Sequence, residues 1–108
     1  MAHPELAELF TKMPTRFQPD AAGGMNAVLQ FELSGDKSGD FYVTIKDKTC
    51  AVAEGKSSDA TTTFKLSGQD WIDMAAGKAD GMGLFMQGRL SVEGDMGAAM
   101  KMQSLFKN

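Results

Sequence analysis

The chain has few of the residue types that support catalysis or covalent cross-linking. Its 108 residues include one cysteine and one histidine. A disulfide needs two thiols, so Cys50 cannot pair within the chain, and its place in a strand-like stretch favours a buried, unreactive thiol. His3 lies near the N-terminus, so we predict no Ser-His-Asp or Cys-His pair. We therefore expect no catalytic residues and a protein that is not an enzyme.

The chain also has no excess of positive charge and no long hydrophobic run. Eleven Lys and Arg residues against 14 Asp and Glu residues give a net charge of -3, which argues against nucleic-acid binding. The apolar runs are far shorter than the ~20 residues that span a bilayer, and the N-terminal segment does not resemble a signal peptide. The sequence therefore predicts a cytoplasmic protein whose contacts with membranes are at most transient.

Two short motifs contain residue types that are found in metal or cofactor sites. Asp70 and Asp73 lie one helical turn apart, but a solvated helix face is favoured over a cation site because no glycine-rich calcium loop is nearby. The string GMGLFM, residues 81–86, has Met86 where a dinucleotide-binding G-x-G-x-x-G motif needs its third glycine, and it follows a helix rather than a strand. We expect no metal and no cofactor.

Alternation of apolar and polar residues with a period of two is the clearest pattern in the first two-thirds of the chain. It occurs in residues 25–33, 40–45, 49–53 and 61–66, and it predicts four half-buried strands. Because short turn-forming segments separate them, we expect these four strands to form an antiparallel meander. A fifth strand is predicted over residues 89–93.

Helical spacing appears at both ends of this strand region. Residues 4–13 predict an amphipathic helix that ends at Pro14. Residues 69–76 predict a short helix with Ser67 as its N-cap and Asp70 as the reciprocal member of a capping box.

The last third of the chain is rich in methionine. Residues 82–87 predict one or two helical turns, and Asp95 is placed to cap a final helix over residues 96–106. This final helix has a wide apolar arc, which must be covered by something. Six of the nine methionines lie in this region, and composition alone favours plain core filling over a deformable pocket wall. They are Met74, Met82, Met86, Met96, Met100 and Met102.

Residues 75–106, AAGKADGMGLFMQGRLSVEGDMGAAMKMQSLF, resemble the C-terminal half of a sterol carrier protein type 2 (SCP-2) domain. The pattern is carried by Ala76, Gly77, Lys78, Gly88, Arg89, Leu90, Val92, Gly94, Asp95, Met96, Leu105 and Phe106. Upstream, residues 10–35 are similar to the family's first helix and first strand. The hairpin over residues 40–61 is similar through Asp47, Val52, Gly55, Asp59 and Thr61. Phe41 and Lys48 depart from the family's usual tryptophan and glycine.

This resemblance implies an α+β fold, with a five-stranded mainly antiparallel sheet covered on one side by four to five helices. It also implies a free-standing single domain over residues 1–108 that binds or transfers a sterol, fatty acid, phospholipid or fatty acyl-CoA in an apolar tunnel. From the apolar faces we expect the lipid to contact Leu29, Phe31, Trp71, Met74, Met82, Phe85, Met86, Met100 and Leu105. Two alternatives stay open: a structural domain with a filled interior, which could form a weak homodimer through the final helix, and an accessory domain that presents acyl substrates to a partner enzyme.

An empty tunnel would be costly for so small a domain. A cavity of ~300 Å³ at ~24 cal/mol per Å³ costs about 7 kcal/mol, which is comparable to the whole net stability of a typical domain. We therefore expect the methionine-rich helices to close partly without ligand and to separate when a lipid enters. The glycines at positions 81, 83, 88, 94 and 97 are candidate sources of the backbone freedom for that movement.

Overall fold

The structure is a computed structural model that describes residues 2–105, except for the side chains of residues 103 and 104. Phe106, which was predicted to end the last helix, lies outside the described residues. In chain order the elements are α1 (Pro4–Arg16), α2 (Pro19–Ala22), β1 (Ala27–Ser34), β2 (Gly39–Lys46), β3 (Thr49–Glu54), β4 (Thr62–Ser67), α3 (Gly68–Ala75), α4 (Gly81–Met86), β5 (Ser91–Gly94) and α5 (Met96–Leu105). The predicted α+β class is confirmed.

The five strands form one sheet in the order β3-β2-β1-β4-β5. Three neighbouring pairs are antiparallel, so the prediction of a mainly antiparallel sheet is confirmed. The predicted meander of four antiparallel strands is wrong, because β4 lies parallel to β1, with Leu29 opposite Thr62. The turn-forming residues after β3 do not make a hairpin. Instead, the segment 55–61 crosses from one edge strand to the far side of β1.

A buried glutamine holds this crossover in place. Gln30 is 2% exposed, and alternation along β1 directs its side chain to the sheet face opposite Leu29. Its Nε2 donates to the carbonyl oxygens of Phe41 and Gly55, each at 3.0 Å, and its Oε1 accepts from the backbone N-H of Ser57 at 2.7 Å. Hydrogen bonds from the Gln30 side chain therefore hold the crossover against the sheet, in place of the backbone bonds that would join two paired strands.

The core lies on the other face of the sheet, under α1. Phe10 stacks on Phe41 with ring centroids 4.2 Å apart and on Trp71 at 5.2 Å, and it meets Phe31 edge-on at 5.3 Å. The predicted end of α1 at Pro14 is wrong, because the helix continues to Arg16. Pro14 lacks the N-H that would bond to the Phe10 carbonyl, and the helix continues for only two residues beyond it.

Side-chain caps define where the later helices begin. The hydroxyl of Ser67 accepts from the Asp70 N-H at 3.0 Å, as predicted. The reciprocal half of the capping box is wrong, because the buried Asp70 carboxylate pairs instead with Arg89. Asp80 caps α4 through the Met82 N-H, and Asp95 caps α5, as predicted, through the Gly97 N-H at 2.8 Å.

The turn between β2 and β3 contains two non-glycine residues in the left-handed region, Asp47 with φ 52° and Lys48 with φ 60°. Lys48→Gly is expected to raise the free energy of unfolding by about 0.5–1 kcal/mol, since glycine adopts positive φ without a Cβ clash. Urea unfolding measures this change. Lys46→Gly is the matched control, because glycine at an extended strand position should lower stability. An equal loss of stability in both variants would contradict the explanation by backbone strain.

Candidate functional site

A cavity of about 190 Å³ lies between the β4-β5 edge of the sheet and the helices α3, α4 and α5. The strand region contributes Phe64, Leu66, Leu90 and Val92. The helices contribute Trp71, Met74, Gly81, Met82, Phe85, Met96, Ala99, Met100 and Met102. The cavity therefore has a sheet floor and walls made from the methionine-rich part of the chain.

The lining is apolar in its chemistry. Apart from the indole of Trp71, the side chains in this lining contain only carbon and sulfur as heavy atoms, and none is charged. Such a surface offers dispersion contacts and the removal of apolar area from water, but no charge partner. The arrangement suits a hydrocarbon segment and disfavours an ionised group.

The cavity opens to solvent between α4 and α5. Met82, Phe85, Met96 and Met100 all line it, and they are 56%, 47%, 48% and 72% exposed. Clustered large apolar side chains at the surface commonly mark a place where a ligand or another molecule binds. Because methionine side chains are unbranched and flexible, this rim can change shape at low cost.

Local sequence explains how α4 and β5 form their part of the cavity. In α4, Leu84 is 3% exposed and anchors the helix to the core, while its neighbour Phe85 lies at the mouth. Gly88 has φ +75°, which lets the chain turn from α4 towards β5. Gly94 has φ +96°, and a Cβ there would lie 2.4 Å from the carbonyl oxygen of Thr61. Turn geometry and close packing thus account for Gly88 and Gly94, so the structure gives these two glycines a role other than hinge freedom.

Five of the nine predicted contact residues line the cavity, namely Trp71, Met74, Met82, Phe85 and Met100. Leu29, Phe31 and Leu105 do not line it, because they are fully buried in the packed core. Phe31 lies beside the floor on the neighbouring strand β1, stacked on Phe64 with ring centroids 5.1 Å apart. Met86 also lies outside the lining and is 79% exposed at the end of α4.

Several lining residues were not among the predicted contacts. Phe64 and Leu66 alternate along β4, and Leu90 and Val92 alternate into β5. The alternation predicts that the two residues of each strand share a sheet face. It does not predict that the residues of both strands lie under the same helices. Met96, Ala99 and Met102 recur at helical spacing in α5, which was a usable signal for one shared face.

Groups with other chemistry are separate from the cavity lining. Half-buried Cys50 lies on β3, and burial raises the pKa of its thiol to about 11, so little thiolate forms at neutral pH. His3 caps α1, with its Nδ1 accepting from the Glu5 N-H at 3.2 Å. Within residues 2–105, no cluster of three or more His, Cys, Asp or Glu side chains is placed to hold a metal ion. No helix in the same range is long and apolar enough to span a membrane.

The SCP-2 sterol transfer family matches residues 7–107. The chain belongs to this family. The family's fold binds apolar lipids, which agrees with the lining of the SCP-2 cavity described above. A curated relative, hydroxysteroid dehydrogenase-like protein 2 of Xenopus laevis, is 32% identical over 102 residues, which cover 94% of this chain and 24% of that protein. The SCP-2 chain thus spans about a quarter of the length of the curated relatives it matches.

Solved structures with the same fold include both large and small chains. The stereoselective inverting sec-alkylsulfatase Pisa1 from Pseudomonas sp. matches with a TM-score of 0.79 and 23% identity, over 92% of this chain and 16% of the sulfatase. Palmitated SCP2L2 from Aedes aegypti matches with a TM-score of 0.72 and 16% identity, over 94% of this chain and 91% of that one. The SCP-2 fold therefore occurs both as most of a small chain and as a minor part of a larger one.

Proposed function

We propose that this SCP-2 chain binds the hydrocarbon part of an apolar lipid, such as a sterol, fatty acid, phospholipid or fatty acyl-CoA, and performs no catalysis itself. The observation that carries the proposal is the cavity, whose lining is carbon and sulfur except for one indole and whose rim is exposed methionine and phenylalanine. The palmitated form of SCP2L2, a structural neighbour, supports a fatty acyl chain as one ligand class.

The size of the cavity implies that it widens when a lipid enters. Its volume of about 190 Å³ is below the ~300 Å³ at the low end of ligand pockets. The mouth residues Met82, Phe85 and Met100 are already 56%, 47% and 72% exposed. They can therefore move apart by rotating about side-chain bonds, together with a small separation of α4 and α5.

The expected affinity is moderate. Burying a 16-carbon chain yields about 12 kcal/mol before costs, at ~0.8 kcal/mol per methylene. Association and ordering remove an estimated 4–15 kcal/mol, so without a specific polar contact the binding is micromolar at the low end of this cost and weaker at higher cost. Broad selectivity among apolar chains follows, because a wall without charge cannot discriminate strongly between them.

Presentation of a bound lipid to an enzyme is a second candidate role. Its support is that the matching region makes up 24% of the dehydrogenase-like relative and 16% of the alkylsulfatase. In both cases the domain is a minor part of a longer chain. Stable co-purification of this chain with an acyl- or sterol-using enzyme would favour presentation over free transfer.

Native mass spectrometry after gentle purification tests the proposed function. We expect one lipid per chain to co-purify, and the delipidated protein to bind a fluorescent fatty acid in the micromolar range. A protein that is free of lipid and also fails to bind the fluorescent fatty acid would contradict the proposal. It would favour a structural domain with a filled interior.

A further inference from the structure

Trp71 has a buried polar atom with no hydrogen-bond partner in the part of the chain that the structure describes. Its side chain is 6% exposed and lines the cavity, yet its indole Nε1 has no hydrogen-bond acceptor among the described residues. One ring face stacks on Phe10 with centroids 5.2 Å apart and an interplanar angle of 11°. The buried N-H group lies in the plane of the indole, so the stacked Phe10 ring cannot accept its proton. The tilted ring of Phe31, 4.8 Å from the indole at 52°, offers at most a weak N-H···π contact.

This N-H is also unlike the rest of the cavity lining. The other lining side chains have neither nitrogen nor oxygen, so the indole is the one side-chain donor that the described lining provides. Tryptophan buried in a protein usually finds a partner for its N-H, and a buried donor without one is unfavourable. Nε1 is almost wholly covered in this structure, so a ligand oxygen reaches it only when the cavity widens, as proposed above for lipid entry.

We propose that the bound ligand places an uncharged oxygen acceptor, such as a ketone, ester or alcohol oxygen, against Nε1 of Trp71. This inference rests on the proposed lipid-binding function and narrows its ligand class. The oxygen is uncharged because the described lining contains no cation, and an ionised carboxylate in an apolar site without a counter-charge is strongly disfavoured. Charged headgroups of the ligand therefore stay at the mouth of the cavity, and a neutral oxygen enters with the hydrocarbon part of the lipid.

Two matched ligands test this inference. They are 2-undecanone and 2-methyl-1-undecene, in which a methylene group replaces the carbonyl oxygen, each supplied from methyl-β-cyclodextrin. We expect the native chain to bind the ketone about fivefold more tightly, the equivalent of one neutral hydrogen bond of ~1 kcal/mol at 1.4 kcal/mol per tenfold. In the Trp71→Phe variant, which keeps an aromatic ring but has no donor, the ratio of the two affinities should fall to one or below, because the buried ketone oxygen then has no partner.

A second readout uses the unmodified protein, so it does not depend on the folding of the variant. The chain contains one tryptophan, so the indole N-H gives one assignable proton resonance. The ketone should move this resonance downfield, and the alkene should not. Equal affinities with no difference in resonance would overturn the inference and leave lipid binding intact. A ketone preference that survives in Trp71→Phe would also overturn it, whereas failure of both ligands to bind would overturn the proposed function as well.

Discussion

Ala99→Phe is expected to weaken binding of a long-chain fatty acid about fifteenfold while the domain stays folded. Ala99 is half-buried on α5 and lines the cavity, so a phenyl ring there would occupy part of a space of only about 190 Å³. If the ring excludes two methylenes of the ligand, the loss is ~1.6 kcal/mol, or about fifteenfold in affinity. Displacement of a fluorescent fatty acid measures this change.

Ala21→Phe is the matched control for this variant. Ala21 is exposed on the short helix α2 and is not part of the cavity lining, so the same added ring should leave fatty-acid affinity unchanged. Urea unfolding of both variants checks that they are folded. A loss of affinity below about threefold in Ala99→Phe would show that α4 and α5 separate enough to accept both ring and lipid. That result would contradict the view that the position of α5 limits how much ligand the cavity holds.

The strand pattern predicted each strand correctly but not the sheet order. Side-chain alternation reports which residues share a face, and residues such as Phe64 and Leu66 are buried as that alternation requires. The same alternation would allow β4 to pair with either β3 or β1. The loop between β3 and β4 contains ordinary turn residues, so it does not decide between them. What selects the parallel partner is a set of long-range bonds such as Thr61 N-H to Val28 O at 2.8 Å. Such contacts have no local signature in the sequence.

The candidate site was predicted only in part, for a related reason. Phe31 and Phe64 have equivalent apolar positions on neighbouring strands, yet only Phe64 reaches the cavity. Phe31 lies under Phe10 of α1, and which helix covers which strand follows from tertiary packing. In α5, apolar residues occur almost all round the helix, so spacing could not show that Leu105 is buried while Met100 is 72% exposed.

Gln30→Leu is expected to lower the free energy of unfolding by about 3 kcal/mol, although leucine suits a strand and has a similar size. The substitution removes the donor to the Phe41 and Gly55 carbonyls and the acceptor for the Ser57 N-H. Leaving a buried donor or acceptor without a partner costs ~1–3 kcal/mol per group. Gly55 and Ser57 are only half-buried, so we take the low end, about 1 kcal/mol, for each of the three groups that lose this partner. Urea unfolding gives the total loss, and amide exchange at Ser57 should become faster.

Gln69→Leu is the control, because Gln69 is exposed on α3 and its side-chain amide donates to Asp73, four residues away on the same helix. We expect a change within about 0.5 kcal/mol for this variant, as for most surface substitutions. Gln30 lies on the sheet face opposite the cavity floor, so folded Gln30→Leu should keep its fatty-acid affinity. A stability loss below ~1 kcal/mol with unchanged exchange at Ser57 would mean that the Gln30 bonds do not fix the crossover. The parallel pairing of β1 with β4 would then depend on the strand ladder and the packing of Phe31 on Phe64 alone.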